Sequence, residues 1–464
     1  MNIARDKLSD VVPVTHFIKG KVVEGAAHVF GSARKFSTPA INLDDLIWTR
    51  SEPGPAFNVP LNEILDLLEA TGDRIAKDPD GLIAEAIDHL AATGPLERRI
   101  IENSAAGMPK MFDRKQILFM IERELGNPDY LDHWCDVTRP DGIVAKVRAF
   151  PPRMVQIIAG NTPGVAAASI IKGALTKGVS LIKLPSNDLF STTAVLRSMA
   201  AVAPDHPVVR SFSAAYWRGG DETIEAKIFL PQYFDKLIAW GGETTIRNAL
   251  KYVGPGFELI SFDPKTSISF VGREAVASDQ VLADVAELGA IDAVHYNQLA
   301  CVCSRIQFVE GSISDVDRYG ALLQKAMEKE RPTTSISVGR LPAAMREELE
   351  VLGSMEPAYR VWGGFEGKGL VIRSDQPVEF YPDGKVVNIV PVKNLHDAIQ
   401  YANVATKTVG IYPPERKAAY RDELMAMGVQ GVCGLGGAMS SMWGLPQDGF
   451  LPLGRFVRWV KDEV

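Results

Sequence analysis

Apolar positions along the chain follow two different periods, and the change from one to the other divides it. From Leu61 the spacing is helical: Ile64, Leu65, Leu67 and Leu68 fall on one face, and Leu82, Ile83, Ala86, Ile87 and Leu90 repeat the arrangement. A third helix is predicted over 115–125, ahead of Gly126-Asn127-Pro128, a combination that ends helices. Residues 1–60 instead mix short β-like runs with Pro and Gly, as in Ser51-Glu52-Pro53-Gly54-Pro55, and read as an irregular arm.

Between 145 and about 270 short apolar runs alternate with helical ones. Strands are predicted over 154–159, 179–184, 211–216 and 236–240, and helices over 165–177, 189–203, 222–230 and 244–252. Alternation at this spacing implies right-handed βαβ crossovers and a parallel sheet covered by helices, with ligands outside the carboxyl ends of the strands. After Ser278 a second α/β unit begins, with helices predicted over 279–288, 315–329, 342–352, 395–404 and 414–427 and strands over 305–309, 369–373 and 386–392. A glycine-rich run over 431–437 and a short C-terminal stretch complete it.

With 464 residues, 46% of them hydrophobic and 23% charged, the chain can bury large cores and divides into roughly two to four domains. A net charge of −7 without clustered Lys and Arg argues against a nucleic-acid surface. No apolar run reaches the roughly 18 residues of a membrane span, and the charged start, Met1-Asn2-Ile3-Ala4-Arg5-Asp6-Lys7, has no apolar signal region. Four cysteines without a CxxC pair, and seven scattered histidines, suggest neither a disulfide framework nor a metal site, so a reduced, cytoplasmic protein is expected.

The stretch His295-Tyr296-Asn297-Gln298-Leu299-Ala300-Cys301-Val302-Cys303-Ser304-Arg305 places a thiol just before a strand, at an element end where scaffolds expose reactive groups. A thiol of ordinary pKa, about 8.5, is only slightly ionised at neutral pH and needs a helix N-terminus or a cation to become a nucleophile. Taken alone, Cys301 and Cys303 read as small buried hydrophobes, the usual place of cysteine in cytosolic proteins. Two strand-to-helix loops change that balance. Ala159-Gly160-Asn161-Thr162-Pro163-Gly164 would project the Asn161 amide at a strand's carboxyl end, as an oxyanion donor or as a helix cap. Trp240-Gly241-Gly242 precedes a helix and could receive a phosphate or be a plain tight turn. Lys183, at the end of another strand, could meet a ribose hydroxyl or a phosphate, or be solvated.

Together these residues resemble the aldehyde dehydrogenase superfamily, and within it the acyl-CoA reductases related to the fatty-acid reductase of bacterial bioluminescence. The resemblance covers roughly 144 to the C-terminus. It is carried by residues 152–163 ending in Asn161-Thr162-Pro163, by Leu181-Ile182-Lys183, by Ala239-Trp240-Gly241-Gly242, by His206-Pro207 with Tyr216-Trp217, and by Asn297-Gln298-Leu299-Ala300-Cys301. It implies a Rossmann-type parallel-sheet cofactor domain plus a second α/β catalytic domain. The expected division is an N-terminal arm and helical region over 1–143 packing on the cofactor domain, a dinucleotide-binding domain over 144–272, a catalytic domain over 273–440 and a C-terminal segment over 441–464.

The resemblance further implies Cys301 as nucleophile, selected over Cys303 by the Gln-x-Ala run before it, and Asn161 in the oxyanion hole. Lys183, Ser186, Trp240, Gly241 and Gly242 would bind cofactor, with Glu379 a candidate for its ribose although the spacing is one residue short. Where NAD-preferring relatives often carry a glutamate, this chain has Ser186, which favours NADPH, with NADH possible. Where oxidising relatives supply a water-activating glutamate, it has Ser261-Phe262-Asp263-Pro264-Lys265. The expected reaction is reduction of an acyl thioester, acyl-CoA first, to the aldehyde through an acyl-cysteine, in a homo-oligomer. The alternatives are an aldehyde dehydrogenase forming an acid, with Glu258 or another carboxylate as base, and a cysteine acyltransferase or thioesterase that needs no nicotinamide.

Overall fold

The computed structural model describes residues 11–31, 35–160, 163–440 and 443–463. The chain forms two units, one of Met1–Gly94, Ile101–Asp263 and Trp443–Val464, the other of Pro95–Ile100 and Pro264–Met442. The crossing therefore falls at Asp263/Pro264, and the C-terminal stretch returns to the first unit.

The first unit is built, in chain order, from β1 (His16–Ile18), β2 (Lys21–Val23), α1 (Leu61–Lys77), α2 (Leu82–Thr93), α3 (Arg114–Leu125), β3 (Arg153–Ile157), α4 (Pro163–Leu175), β4 (Val179–Lys183), α5 (Ser191–Val202), β5 (Phe212–Ala215), β6 (Lys236–Trp240), α6 (Glu243–Leu250) and β7 (Glu258–Phe262). Its seven-stranded sheet has the order β7-β6-β3-β4-β5-β1-β2, and β3 to β7 pair in parallel. The strands β3 and β4 are buried at every position, as expected of a parallel sheet covered on both faces. Gly173 lets α4 lie close to the sheet, because a Cβ there would meet the Phe212 ring at 3.0 Å. The apolar faces of α1 and α2 pack on α5 within the largest core.

The N-terminal arm is more regular than its composition predicts. Lys19 and Gly20, both at positive φ (49° and 88°), form the two-residue turn of a hairpin, and β1 pairs antiparallel with β5 to extend the sheet. Val11–Pro13, His28–Phe30 and Lys35–Thr38 form a separate three-stranded sheet, and Cys135–Thr138, Val144–Phe150 and Arg458–Asp462 another.

The second unit contains β8 (Thr266–Val271), α7 (Asp279–Val294), β9 (Ser304–Glu310), α8 (Ile313–Met327), β10 (Arg360–Trp362), β11 (Leu370–Arg373), β12 (Val386–Val392), β13 (Thr406–Tyr412) and β14 (Gly431–Gly434). The sheet order is β10-β11-β12-β9-β8-β13-β14, parallel throughout except for the edge strand β10. Ser278 caps α7, and a Ser312/Asp315 capping box starts α8. Among the described residues no helix is long and apolar enough to cross a membrane.

Candidate active site

In the first unit the chain winds from β3 through β4 to β5 in one direction and places β6 and β7 on the other side of β3. This reversal makes the carboxyl ends of β3 and β6 a topological switch point, where open α/β sheets bind ligands. The loop leaving β3 runs through Gly160 to Asn161, which with Thr162 lies outside the described residues. Gly160 has a steric reason: a Cβ there would collide with the Asn187 amide and come within 2.9 Å of Asp188 Cβ. Ser186 is exposed in the turn after β4. The neighbouring Asp188 is buried, and its carboxylate accepts from Ser191 N, the first residue of α5, at 2.9 Å.

Lys183, the last residue of β4, is 8% exposed. Its ammonium lies over the rings of Tyr216 and Trp217, each at 5.7 Å, and finds no hydrogen-bond acceptor among the described residues. Burial lowers its pKa to about 8, against the opposing attraction of Glu225. Glu225 is itself occupied, accepting from Trp217 Nε1 at 3.1 Å, Gly220 N at 3.1 Å and Asn248 Nδ2 at 2.8 Å.

Trp240 ends β6, and its indole stacks on Phe262 with ring centroids 3.6 Å apart. Gly241 follows because a Cβ there would meet Thr245 at 3.0 Å. Gly242 is the N-cap of α6; no side chain caps the helix, and an added Cβ would meet nothing within 4 Å. The first turn of α6 therefore has no side-chain cap and an open approach at Gly242, which suits an anion. The alternative base, Glu258, opens β7 at its amino end and is bound by Arg455 and, at 2.6 Å, Lys236. Burial alone would raise its carboxyl, but those two partners more than offset this and hold it below the ordinary range.

In the second unit Cys301 is exposed and Cys303 is sealed at 0% exposure. Burial pushes the Cys303 thiol up to about 12, and its Sγ donates to His295 O at 3.2 Å. The backbone before Cys301 is strained: Tyr296, Asn297 and Gln298 are consecutive left-handed residues, with φ of 49°, 57° and 71°. None is glycine, so each conformation costs about 1–3 kcal/mol and persists only where the surroundings over-determine it.

The tethers that hold this loop are specific. Gln298 closes a reciprocal pair with β12, its Nε2 donating to Val386 O at 2.8 Å and its Oε1 accepting from Val386 N at 3.1 Å. Asn297 does the same with Ser335, at 3.1 and 2.8 Å. Ser267 Oγ donates to Cys301 O at 3.0 Å. Arg305, 5% exposed, donates to Gln298 O at 2.7 Å and also to Pro382 O, so it ties the cysteine loop to the segment that carries Glu379. Glu379 itself is exposed. The sequence reading missed Gln298, Arg305 and Asn297 as supports, although all three stand within four residues of Cys301.

The model of the family described as acyl-CoA reductase (LuxC) matches residues 56–459. The chain belongs to that family. It is therefore an enzyme, an aldehyde-forming oxidoreductase of the acyl-reductase type. Among its curated relatives are the long-chain acyl-protein thioester reductases of Vibrio harveyi, 28% identical over 414 residues (87% of this chain and 83% of the relative), and of Aliivibrio fischeri, 28% identical over 424 residues (88% and 83%). Solved structures with the same fold include the NADP-dependent glyceraldehyde-3-phosphate dehydrogenase of Bacillus halodurans C-125, with a TM-score of 0.73 at 16% identity (97% of this chain, 99% of that one). A Mycobacterium tuberculosis aldehyde dehydrogenase complexed with NAD+ aligns with a TM-score of 0.71 at 17% identity (98% and 99%). The fold is that of the aldehyde dehydrogenases, as the sequence motifs implied.

Proposed function

We propose that the enzyme reduces an acyl thioester, acyl-CoA or an acyl-protein thioester, to the aldehyde with NADPH, through an acyl group carried on Cys301. The observation that carries this reading is the contrast between two thiols two residues apart: Cys301 is exposed on a strained, tethered loop, and Cys303 is buried with its thiol raised to about 12. The Cys301 thiolate attacks the thioester carbonyl; the new carbon–sulfur bond forms as the old one breaks, and the leaving thiolate takes up a proton. Thiol replaces thiol, so the exchange is close to thermoneutral. Asn161 donates to the developing oxyanion, a contribution of about 3 kcal/mol for one well-placed donor. Bound cofactor supplies the hydride to the acyl carbon. Cys301 holds that carbon meanwhile and departs as thiolate when the aldehyde is released.

Lys183 and the uncapped first turn of α6 after Gly241-Gly242 fit the anionic parts of a dinucleotide, and the exposed Ser186 leaves room for a 2′-phosphate where a carboxylate would repel it. Glu258, paired twice at the amino end of its strand, is poorly suited to activate water, which favours reduction over acid formation. The relatives' names specify long-chain acyl groups, a chain length that is one starting point for substrate trials. A homo-oligomer is part of the reading: the sheet with Val144–Phe150 leaves Val137, Ile143, Val144 and Trp459 exposed, an apolar surface that a second copy could cover. Cytoplasmic placement also remains part of it.

The test is NADPH oxidation with acyl-CoA substrates, the aldehyde trapped and identified. Stoichiometric aldehyde formation supports the reading. Rapid conversion of aldehyde to acid without CoA, or thioester cleavage without nicotinamide, overturns it.

A further inference from the structure

Five lysines are buried among the described residues: Lys172, Lys177, Lys183, Lys236 and Lys385. Three have acceptors, Lys177 on Asp132, Lys236 on Glu258 and Lys385 on Ser335 O and Ile336 O. The other two share one construction. Lys183 lies over two aromatic rings with Glu225 as a distant counter-charge, and Lys172 does the same with other partners. The Lys172 ammonium lies 5.8 Å from the Trp240 ring and 5.6 Å from the Trp443 ring, with Glu124 the opposing charge. Lys172 is 6% exposed and has no hydrogen-bond acceptor among the described residues. Among the described residues two rings and a distant carboxylate face that ammonium but no acceptor does, so its N–H groups are available to an oxygen brought by a ligand.

The position of Lys172 says which ligand. It stands on α4, which begins two residues after Asn161, and Trp240 directly precedes the Gly241-Gly242 turn. Gly164, Val165 and Ala168 are partly exposed on α4, whereas Ala166, Ala167, Ile170 and Ile171 are buried. Positions 164, 168 and 172 share a helix face, so small side chains lead from the start of α4 to the ammonium. Pro163 and Lys172 are separated by roughly 13 Å along the helix axis. Helical side chains lean back towards the N-terminus, which shortens the remaining span to that of a short chain or a single ring.

We infer that Lys172, between Trp240 and Trp443, is a specificity-determining residue that receives an oxygen, a carboxylate or phenolic oxygen, at the far end of the acyl group. This rests on the reading of the chain as an acyl-thioester reductase. It departs from the relatives in substrate class, because an unsubstituted hydrocarbon chain offers the ammonium nothing to accept a hydrogen bond.

The experiment compares adipoyl-CoA with hexanoyl-CoA, and 4-hydroxybenzoyl-CoA with benzoyl-CoA, in wild type, Lys172→Met and Lys172→Arg. The kcat/KM for NADPH oxidation should favour the oxygenated member of at least one pair by tenfold or more, as expected of a site built to hydrogen-bond its substrate. Lys172→Met should bring that ratio close to one, and Lys172→Arg should restore part of it. Calorimetric titration of Cys301→Ala with the same four thioesters, with and without Lys172→Met, reads affinity apart from turnover. A wild type that favours neither oxygenated member, or a Lys172→Met variant that weakens both members of each pair equally, overturns the inference and leaves Lys172 a structural counter-charge to Glu124. Failure of wild type to turn over any thioester removes the reductase reading instead, and the affinity ratio then decides Lys172 alone.

Discussion

Removing the Gln298 carboxamide should disable the nucleophile loop without unfolding the protein. Gln298 is fully buried, and its amide is the partner of both Val386 N and Val386 O. In Gln298→Ala those two backbone groups lose their partner at about 1–3 kcal/mol each, so roughly 2–6 kcal/mol of restraint disappears. The loop it restrains stores a comparable amount, since three left-handed non-glycine residues hold about 3–9 kcal/mol together. With restraint and strain so nearly matched, the loop should relax and populate the wild-type geometry only rarely. A shift of about 3 kcal/mol corresponds to roughly a hundredfold loss of competent enzyme. Steady-state reduction of acyl-CoA, followed by NADPH absorbance, should show kcat/KM falling by that order. Iodoacetamide should still label Cys301, and the melting temperature should fall by only a few degrees. Turnover within threefold of wild type, or global unfolding in place of local loss, would refute the argument.

Two further outcomes follow from the same geometry. With burial holding its thiol far above the ordinary range, Cys303 should stay protonated at pH 8, so alkylation of the native protein followed by peptide mapping should find Cys301 modified and Cys303 protected. Lys183 has a lowered pKa, so its charge is present below about pH 8 and lost above it, two units earlier than for an ordinary lysine; NADPH affinity measured by calorimetry should fall up to tenfold per pH unit above 8, and Lys183→Met should be weak and flat over the same range.

The parallel-sheet framework was legible because β3, β4 and β6 are short, largely apolar runs and the helices between them keep a helical period. What stayed hidden depends on contacts distant in sequence. The hairpin of β1 and β2 is two three-residue strands, too short to show a period, and it is ordered by pairing with β5 almost two hundred residues away. The strands β13 and β14 escaped notice because Lys407, Gly410 and Gly431 interrupt their apolar pattern. Nothing local marks Tyr296, Asn297 and Gln298 as left-handed; Ser335 and Val386 hold them there. Lys172 reads as a polar residue on an amphipathic helix until Trp443, from the far end of the chain, is packed against it.

The most direct measurement is the mass of the enzyme after brief exposure to an acyl-CoA without nicotinamide. One acyl group should appear, on the peptide containing Cys301, and adding NADPH should remove it with the release of one equivalent of aldehyde. Acylation of Cys303 or Cys433 instead, or undiminished turnover by Cys301→Ala, would contradict the assignment of the nucleophile.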